Sequence, residues 1–408
     1  MKVSYSEYDD HGRFLGPDDL FPSSGVVEFI LQYGQDGLDA LNEHPDEQIR
    51  QLIDEMIQAG LMERSEDGTL RLTPRMQRGM QHRSFLEIFR NLKAGIRDGH
   101  ESPDPGARGD RSEGTRPYQW GDPLSEVAMG ETLRNAIQRL AREAAPEATA
   151  PGAPGVPGAI LPLRLRDDDV EVFHTESTTD TALAILIDLS GSMMRYGRHI
   201  AAKRVALGMR SLVREKFPLD TVDFIGFASI AEHLKEDDLP LVMPKPITTH
   251  EWDIRIRVPL DQAELTHPHF TNLHHALRVA RQRLNRRAAA NKQIFLITDG
   301  QPTAHLTPAG GDPTALNDPS TTILNLIYPP SEQSTEATLA EAFQCMQAGI
   351  RIASFALIEE YHAMEWVGFI DQLTRLTRGV AFYCTAGDLG ATIMESYLSG
   401  KRQKKPLG

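Results

Sequence analysis

A chain of 408 residues with a formal charge of −14 is a poor electrostatic match for nucleic acid, so DNA or RNA is not expected as its main partner. Its hydrophobic share of 40% supports a sizeable core, and the length suits roughly two or three domains. Two cysteines, Cys345 and Cys384, exclude a disulfide framework, and the absence of an apolar leader or any run near the ~20 residues of a membrane span predicts a cytoplasmic protein.

The N-terminal third reads as a small helical, winged-helix-like domain over residues 1–97. Residues 1–22 are polar and proline-containing, a loose lead-in. Pro45 to Ala59 is an amphipathic helix with Ile49, Leu52, Ile53, Met56 and Ile57 on one face, and Gly60 suits its C-terminal cap. Leu61–Glu63 and Thr69–Thr73 are placed to pair across the turn Ser65–Gly68. A second helix over Arg75–Lys93 can bury Met76, Met80, Phe85, Phe89 and Leu92. It carries Arg75, Arg78, Arg83, Arg90 and Lys93 against the single acid Glu87, which reads as a solvated face or as a docking surface for an acidic partner.

Residues 98–115 and 144–158 are rich in glycine, proline or alanine and read as linkers around a connecting helical segment at 116–143. Its helix is expected over Pro123–Arg142, with Leu133, Ile137 and Leu140 facing inward. The remaining residues, 159–401, form the C-terminal domain, followed by a basic tail at 402–408.

That domain alternates strand and helix. Asp169–Phe173 is expected as a first or edge strand, and Leu183–Ile187 as a strand buried on both faces. Helix, strand, helix and strand follow at Arg198–Phe217, Thr221–Phe227, Thr271–Arg287 and Gln293–Thr298. They continue at Ala337–Ala348, Arg351–Ile358, Trp366–Leu376, Val380–Cys384 and Leu389–Leu398. Such alternation dictates an α/β fold with a doubly wound, mostly parallel sheet.

The buried strand ends at Asp188, and Ser190 and Ser192 follow in a D-x-S-x-S spacing. Serine and glycine after an aspartate also make an ordinary turn and helix cap. In a parallel sheet, however, Thr271 at a helix start and Asp299 at the end of a second central strand open on the same carboxyl edge as Asp188. Two carboxylates and three hydroxyls can converge there. All are hard oxygen donors suited to Mg2+ or Mn2+, and the like charges call for a cation between them.

These residues resemble the von Willebrand factor A (VWA) domain, whose metal-ion-dependent adhesion site (MIDAS) is built from D-x-S-x-S, a threonine and a late aspartate. The resemblance implies metal ligation by Asp188, Ser190, Ser192, Thr271 and Asp299, with a partner's acidic residue completing the shell. The phrases RPYQWGDPL, FHTESTTDTALAILIDLSGSM, AAKRVALGMRSLV, NKQIFLITDGQPTAHL and RLTRGVAFYCT are further similar to bacterial cytosolic VWA proteins associated with AAA+ ATPases of the MoxR and magnesium-chelatase group. That implies a non-enzymatic adaptor that presents an acidic client for remodelling or metal insertion. The long stretch Leu241–Phe270 before Thr271 departs from the family pattern.

Competing chemistries are less well provided for. His267, His269, His274 and His275 cluster, but two adjacent helical histidines cannot share a face as i, i+4 ligands do. No G-x-S-x-G elbow, phosphate loop or second aspartate of an aspartyl-phosphate enzyme is present, which leaves a Mg2+-dependent hydrolase with Asp188 as nucleophile as the alternative. A nucleic-acid adaptor role for the N-terminal region is a third reading.

Overall fold

A computed structural model describes residues 7–8, 14–15, 24–43, 47–91, 111–118, 127–144, 165–175, 180–311, 316, 318–358 and 364–402. The chain divides into two compact units, one of residues 1–96 and 180–399, the other of residues 97–179 and 400–408.

The first unit opens with a short antiparallel pair, β1 (Glu7–Tyr8) and β2 (Phe14–Leu15). Helices α1 (Ser24–Glu43) and α2 (Glu47–Gln58) lead to the hairpin β3 (Met62–Arg64) and β4 (Leu70–Leu72), then to α3 (Pro74–Asn91). The hairpin forms where its turn predicts, with Gly68 N–H donating to Ser65 O and Asp67 accepting from Thr69 N–H. Helix α1 is not legible in the sequence. It kinks at Gly34, whose φ is +59°, and a Cβ there would stand 2.3 Å from the Leu241 carbonyl oxygen. Only glycine tolerates both the backbone conformation and the close approach. Of the basic residues on α3, Arg83 pairs with Glu87 at 2.9 Å, and Arg75 donates to the Ala59 carbonyl. The side chain of Arg90, and Leu92 and Lys93 entirely, lie outside the described residues.

The second unit contains β5 (Arg111–Pro117), α4 (Met129–Ala144) and β6 (Glu171–Thr175). Two expectations change here. Arg111–Thr115 belongs to a strand although it falls in the expected linker, and the strand expected at the edge of the C-terminal sheet pairs antiparallel with β5 instead. The rest of 98–115, and 145–158, lie outside the described residues. On α4 the inward face is also different. Thr132 and Ala136, with Ala128 just before the helix, are buried, whereas Leu133 and Ile137 are 36% and 59% exposed. Polar anchoring sets this rotation: Thr132 accepts from Glu171 N–H at 3.0 Å, and Arg139 grips the buried Asp169 with Nε and Nη2, both at 2.9 Å. That guanidinium also holds the Asp169 carboxyl below the usual carboxylate range.

The first unit resumes with β7 (Thr181–Asp188), α5 (Arg198–Lys216), β8 (Thr221–Phe227) and β9 (Ala231–Leu234). Next come β10 (Ile254–Pro259), α6 (Leu273–Asn285), β11 (Asn291–Thr298), β12 (Ala304–Pro308) and β13 (Thr322–Tyr328). Last are α7 (Glu332–Gln347), β14 (Ile350–Leu357), α8 (Met364–Thr377), β15 (Val380–Cys384) and α9 (Leu389–Arg402). The order β15-β14-β11-β7-β8-β9 makes a six-stranded sheet, parallel except at β9. All eight residues of β7 are buried, as its apolar run requires at the centre of such a sheet.

One face of the sheet, with Leu183, Ile185, Ile187 and Phe295, packs in a core with α5, α9 and the N-terminal helices. The other, with Ala184, Leu186 and Leu296, packs in a core with α6, α7 and α8. The described residues of α1, α2, β3, β4 and α3, from the region 1–97 expected as a domain of its own, therefore share the hydrophobic core of the sheet. Ile88 of α3 is the clearest joint: added Cβ atoms on Gly208 of α5 and Gly390 of α9 would each stand 2.8 Å from its side chain. The buried Lys203 ammonium on α5 donates to the carbonyls of Leu31 and Pro240 at 2.8 and 3.1 Å.

The stretch 241–270 also acquires a structural account. Its start seats kinked α1, and β10 builds a separate antiparallel sheet in the order β10-β13-β12 over a core of Ile254, Phe270, Leu306, Leu324 and Leu326. No local pattern in the sequence marks that sheet.

Candidate metal site

Parallel pairing sets Ile187 beside Ile297, so β7 and β11 release their next residues at the same sheet edge. Asp188 ends β7, and Asp299 follows β11 directly. Asp188 is 0% exposed, and each carboxylate oxygen has a partner: Oδ1 accepts from Ser190 N–H at 2.8 Å, and Oδ2 accepts from the Thr298 hydroxyl at 2.6 Å. The hydroxyls of Ser190 and Ser192 share a hydrogen bond at 3.1 Å, and Ser192 donates to Asp299 Oδ1 at 2.7 Å. Asp188, Ser190, Ser192 and Asp299 thus form one connected chain of short contacts. Burial, and next the charge of Asp299, push the Asp188 carboxyl well above the usual carboxylate range.

Thr271 stands beside this chain. Its N–H donates to the Thr303 hydroxyl at 2.8 Å, its carbonyl accepts from Thr303 and Ala304, and its own hydroxyl bonds to none of the other four residues. A Cβ on Gly300 would lie 4.0 Å from that hydroxyl, which puts Thr271 beside the Asp299 turn. Asn272 fixes the approach by accepting from His275 N–H as the cap of α6, while its own amide donates to Ser229 O at 2.9 Å.

Three participants carry no ligand-motif spacing. Thr298 and Thr303 are hydroxyls flanking the Asp299 turn, and their closeness to Asp299 in the chain is a usable signal. Arg198, the first residue of α5, donates from Nη1 to Asp299 Oδ2 at 2.5 Å. No spacing rule identifies it, because its reach to Asp299 is created by the tertiary fold.

The stretch 241–270 lies against the serine turn. Lys245 N–H donates to Leu189 O, Gly191 N–H donates to His269 O, and a Cβ on Gly191 would stand 2.5 Å from Ile247. His267 and His269 stay together, both against the Thr248 hydroxyl, whereas the two helical histidines part: His274 Nδ1 accepts from Leu306 N–H and His275 Nδ1 from Ala231 N–H. Burial drives them down to about 3 and about 4, consistent with neutral acceptor rings. Among the described residues, no three His, Cys, Asp or Glu side chains gather in metal-binding reach. The oxygen-rich turn is the remaining candidate, and its two carboxylates with neutral hydroxyls fit a hard divalent cation.

A six-stranded sheet of this topology, flanked by helices and carrying a strand-end aspartate followed by serines, defines a vWA-type domain. The chain belongs to the family described as Rv0959-like protein, vWA domain, which matches residues 181–398; residues 110–175 match the Rv0959-like protein, third domain. It is 28% identical over 350 residues to uncharacterized protein Rv0959 of Mycobacterium tuberculosis and, to the same degree, to uncharacterized protein Mb0984 of Mycobacterium bovis. These alignments cover 85% of this chain and 44% of each relative, so the chain spans less than half their length. Among solved structures, the PilB minor pilin of Streptococcus sanguinis is similar with a TM-score of 0.42 and 15% identity, over 61% of this chain and 67% of the pilin. Among the described residues, no helix is long and apolar enough to cross a membrane.

Proposed function

We propose that the chain is a non-enzymatic protein-interaction module whose Asp188, Ser190, Ser192, Thr271 and Asp299 hold Mg2+ or Mn2+. The observation that carries this reading is the meeting of two strand-end carboxylates and two serine hydroxyls in one hydrogen-bonded chain. Ser190, Ser192 and Thr271 would offer hydroxyl oxygens and the aspartates the balancing charge. The cation would supply local attraction for a carboxylate of an acidic client, against the chain's own charge of −14. The hydrolase alternative is poorly supported, because a nucleophilic Asp188 would have to reach a substrate carbon or phosphorus from a side chain with no solvent exposure.

The sequence likeness to cytosolic VWA proteins supports a cytoplasmic adaptor working with an AAA+ ATPase of the MoxR/magnesium-chelatase group. Affinity capture from the native host, with Mg2+ or with chelator, tests both levels. The expected result is ATPase and client retained with Mg2+, then lost with chelator and with Asp299→Ala. Equal recovery under all three conditions would refute the metal-dependent reading.

A further inference from the structure

Each carboxylate oxygen of Asp299 already has a partner. Oδ1 accepts from Ser192, and Oδ2 accepts from Arg198 Nη1 in a 2.5 Å ion pair whose carboxylate side chain is fully buried. Arg198 is itself only 8% exposed, and its guanidinium carbon lies 5.2 Å from the centre of the Tyr196 ring. The pairing is poorly satisfied on the arginine side, since its buried Nε has no hydrogen-bond partner. It is also set up by unusual backbone. Tyr196 and Gly197, immediately before Arg198, both adopt left-handed conformations with φ of +56° and +67°. For a tyrosine that geometry is costly and persists only when the surroundings impose it.

A guanidinium and a divalent cation drawn to one carboxylate repel each other, and in a site this buried the repulsion is weakly screened. We propose that Arg198 is an internal competitor for the metal: it and a divalent cation contend for Asp299, and this contest sets the metal affinity of the site. The inference rests on the metal-binding reading above, and it assigns to Arg198 a tuning role that no ligand motif requires. Withdrawal of Arg198 frees Asp299 Oδ2 and removes one positive charge from beside the Ser190–Ser192 pair. Metal occupancy is thereby coupled to the position of the first turn of α5.

Calorimetric titration of the full chain with Mg2+, and with Mn2+ followed by electron paramagnetic resonance, tests this without any activity assay. Arg198→Gln keeps a hydrogen-bonding side chain but removes the charge, and should bind at least about tenfold tighter than wild type, a lower bound set by one unit charge screened as in bulk water. Arg198→Lys, shorter and confined to a point charge, should fall between them. Exposed Arg195→Gln is the control for general charge effects and should match wild type. Binding by Arg198→Gln alone, with none by wild type, supports the proposal strongly. Should Arg198→Gln lose its near-ultraviolet circular dichroism, the comparison of Arg198→Lys with wild type decides: tighter binding supports the proposal and equal binding overturns it. Wild-type binding with equal or weaker binding by Arg198→Gln overturns the competition while sparing the metal reading. No binding by any variant overturns both.

Discussion

Replacing Ile88 by alanine asks whether the N-terminal helices and the VWA sheet are one folding unit. Ile88 is 6% exposed and sits where α3 meets α5 and α9, with Gly208 and Gly390 facing it. The substitution removes three carbon atoms, worth about 2.4 kcal/mol at ~0.8 kcal/mol each. A cavity term adds to this, because two glycines have no side chains to move into the space. The total should be about 3–4 kcal/mol, within the usual range for isoleucine-to-alanine changes in cores. At roughly 2–3 °C per kcal/mol for a unit of this size, the melting temperature should fall by about 8 °C. Scanning calorimetry reads this directly, and the whole transition of the sheet-containing unit should move. A tethered, independently folded N-terminal domain would behave differently: its own small transition would shift and the main one would stay. A main transition displaced by less than ~2 °C would therefore refute the shared core.

Gly34→Ala should cost more than the ~1 kcal/mol of an ordinary surface change, since its Cβ meets the Leu241 carbonyl in a left-handed backbone; a melting curve matching wild type would contradict the kink. Burial lowers the Lys203 ammonium to about 7 from 10.5, so above pH 7 the unfolded chain holds a proton that the folded chain releases. Lys203 should thus make stability rise with pH from 7 towards 8.5, and the denaturation midpoints of Lys203→Met should lack that rise relative to wild type; parallel pH profiles would refute the assignment. Ser190→Ala should melt within about 3 °C of wild type, a cost near ~1 kcal/mol, because the Ser190 N–H to Asp188 is kept. The same variant should lose calorimetric Mg2+ binding, and retention of wild-type affinity would exclude Ser190 as a ligand.

Much of the sheet is legible from local pattern. A continuous apolar run such as Leu183–Ile187 can be satisfied only between two helical layers, and it becomes the fully buried β7. Alternation with helices then dictates parallel strands, and parallel strands oblige Asp188 and Asp299 to emerge at one edge, whatever the loops between them do. The turn Ser65–Gly68 between two short stretches is likewise enough for the β3–β4 hairpin.

Periodicity fails where an element has neighbours on more than one side or is anchored by polar groups. Helix α5 is covered by the sheet and by the N-terminal helices, so its buried set runs around the helix and includes Lys203 and Ser211. Helix α1 contains three glycines, including the kink at Gly34, and owes its place to Val27, Ile30, Leu31 and Leu38 in the shared core. On α4 helical spacing points to Leu133 and Ile137, but the Arg139–Asp169 pair and the Thr132 contact turn a different face inward. The sheet β10-β13-β12 joins segments separated by up to about seventy residues, a pairing whose closure no local pattern encodes. Arg198 is the same lesson at the site. Oxygen ligands at strand ends follow from sequence and topology, whereas the cation already paired with Asp299 is supplied by a helix terminus that only the tertiary structure brings to it.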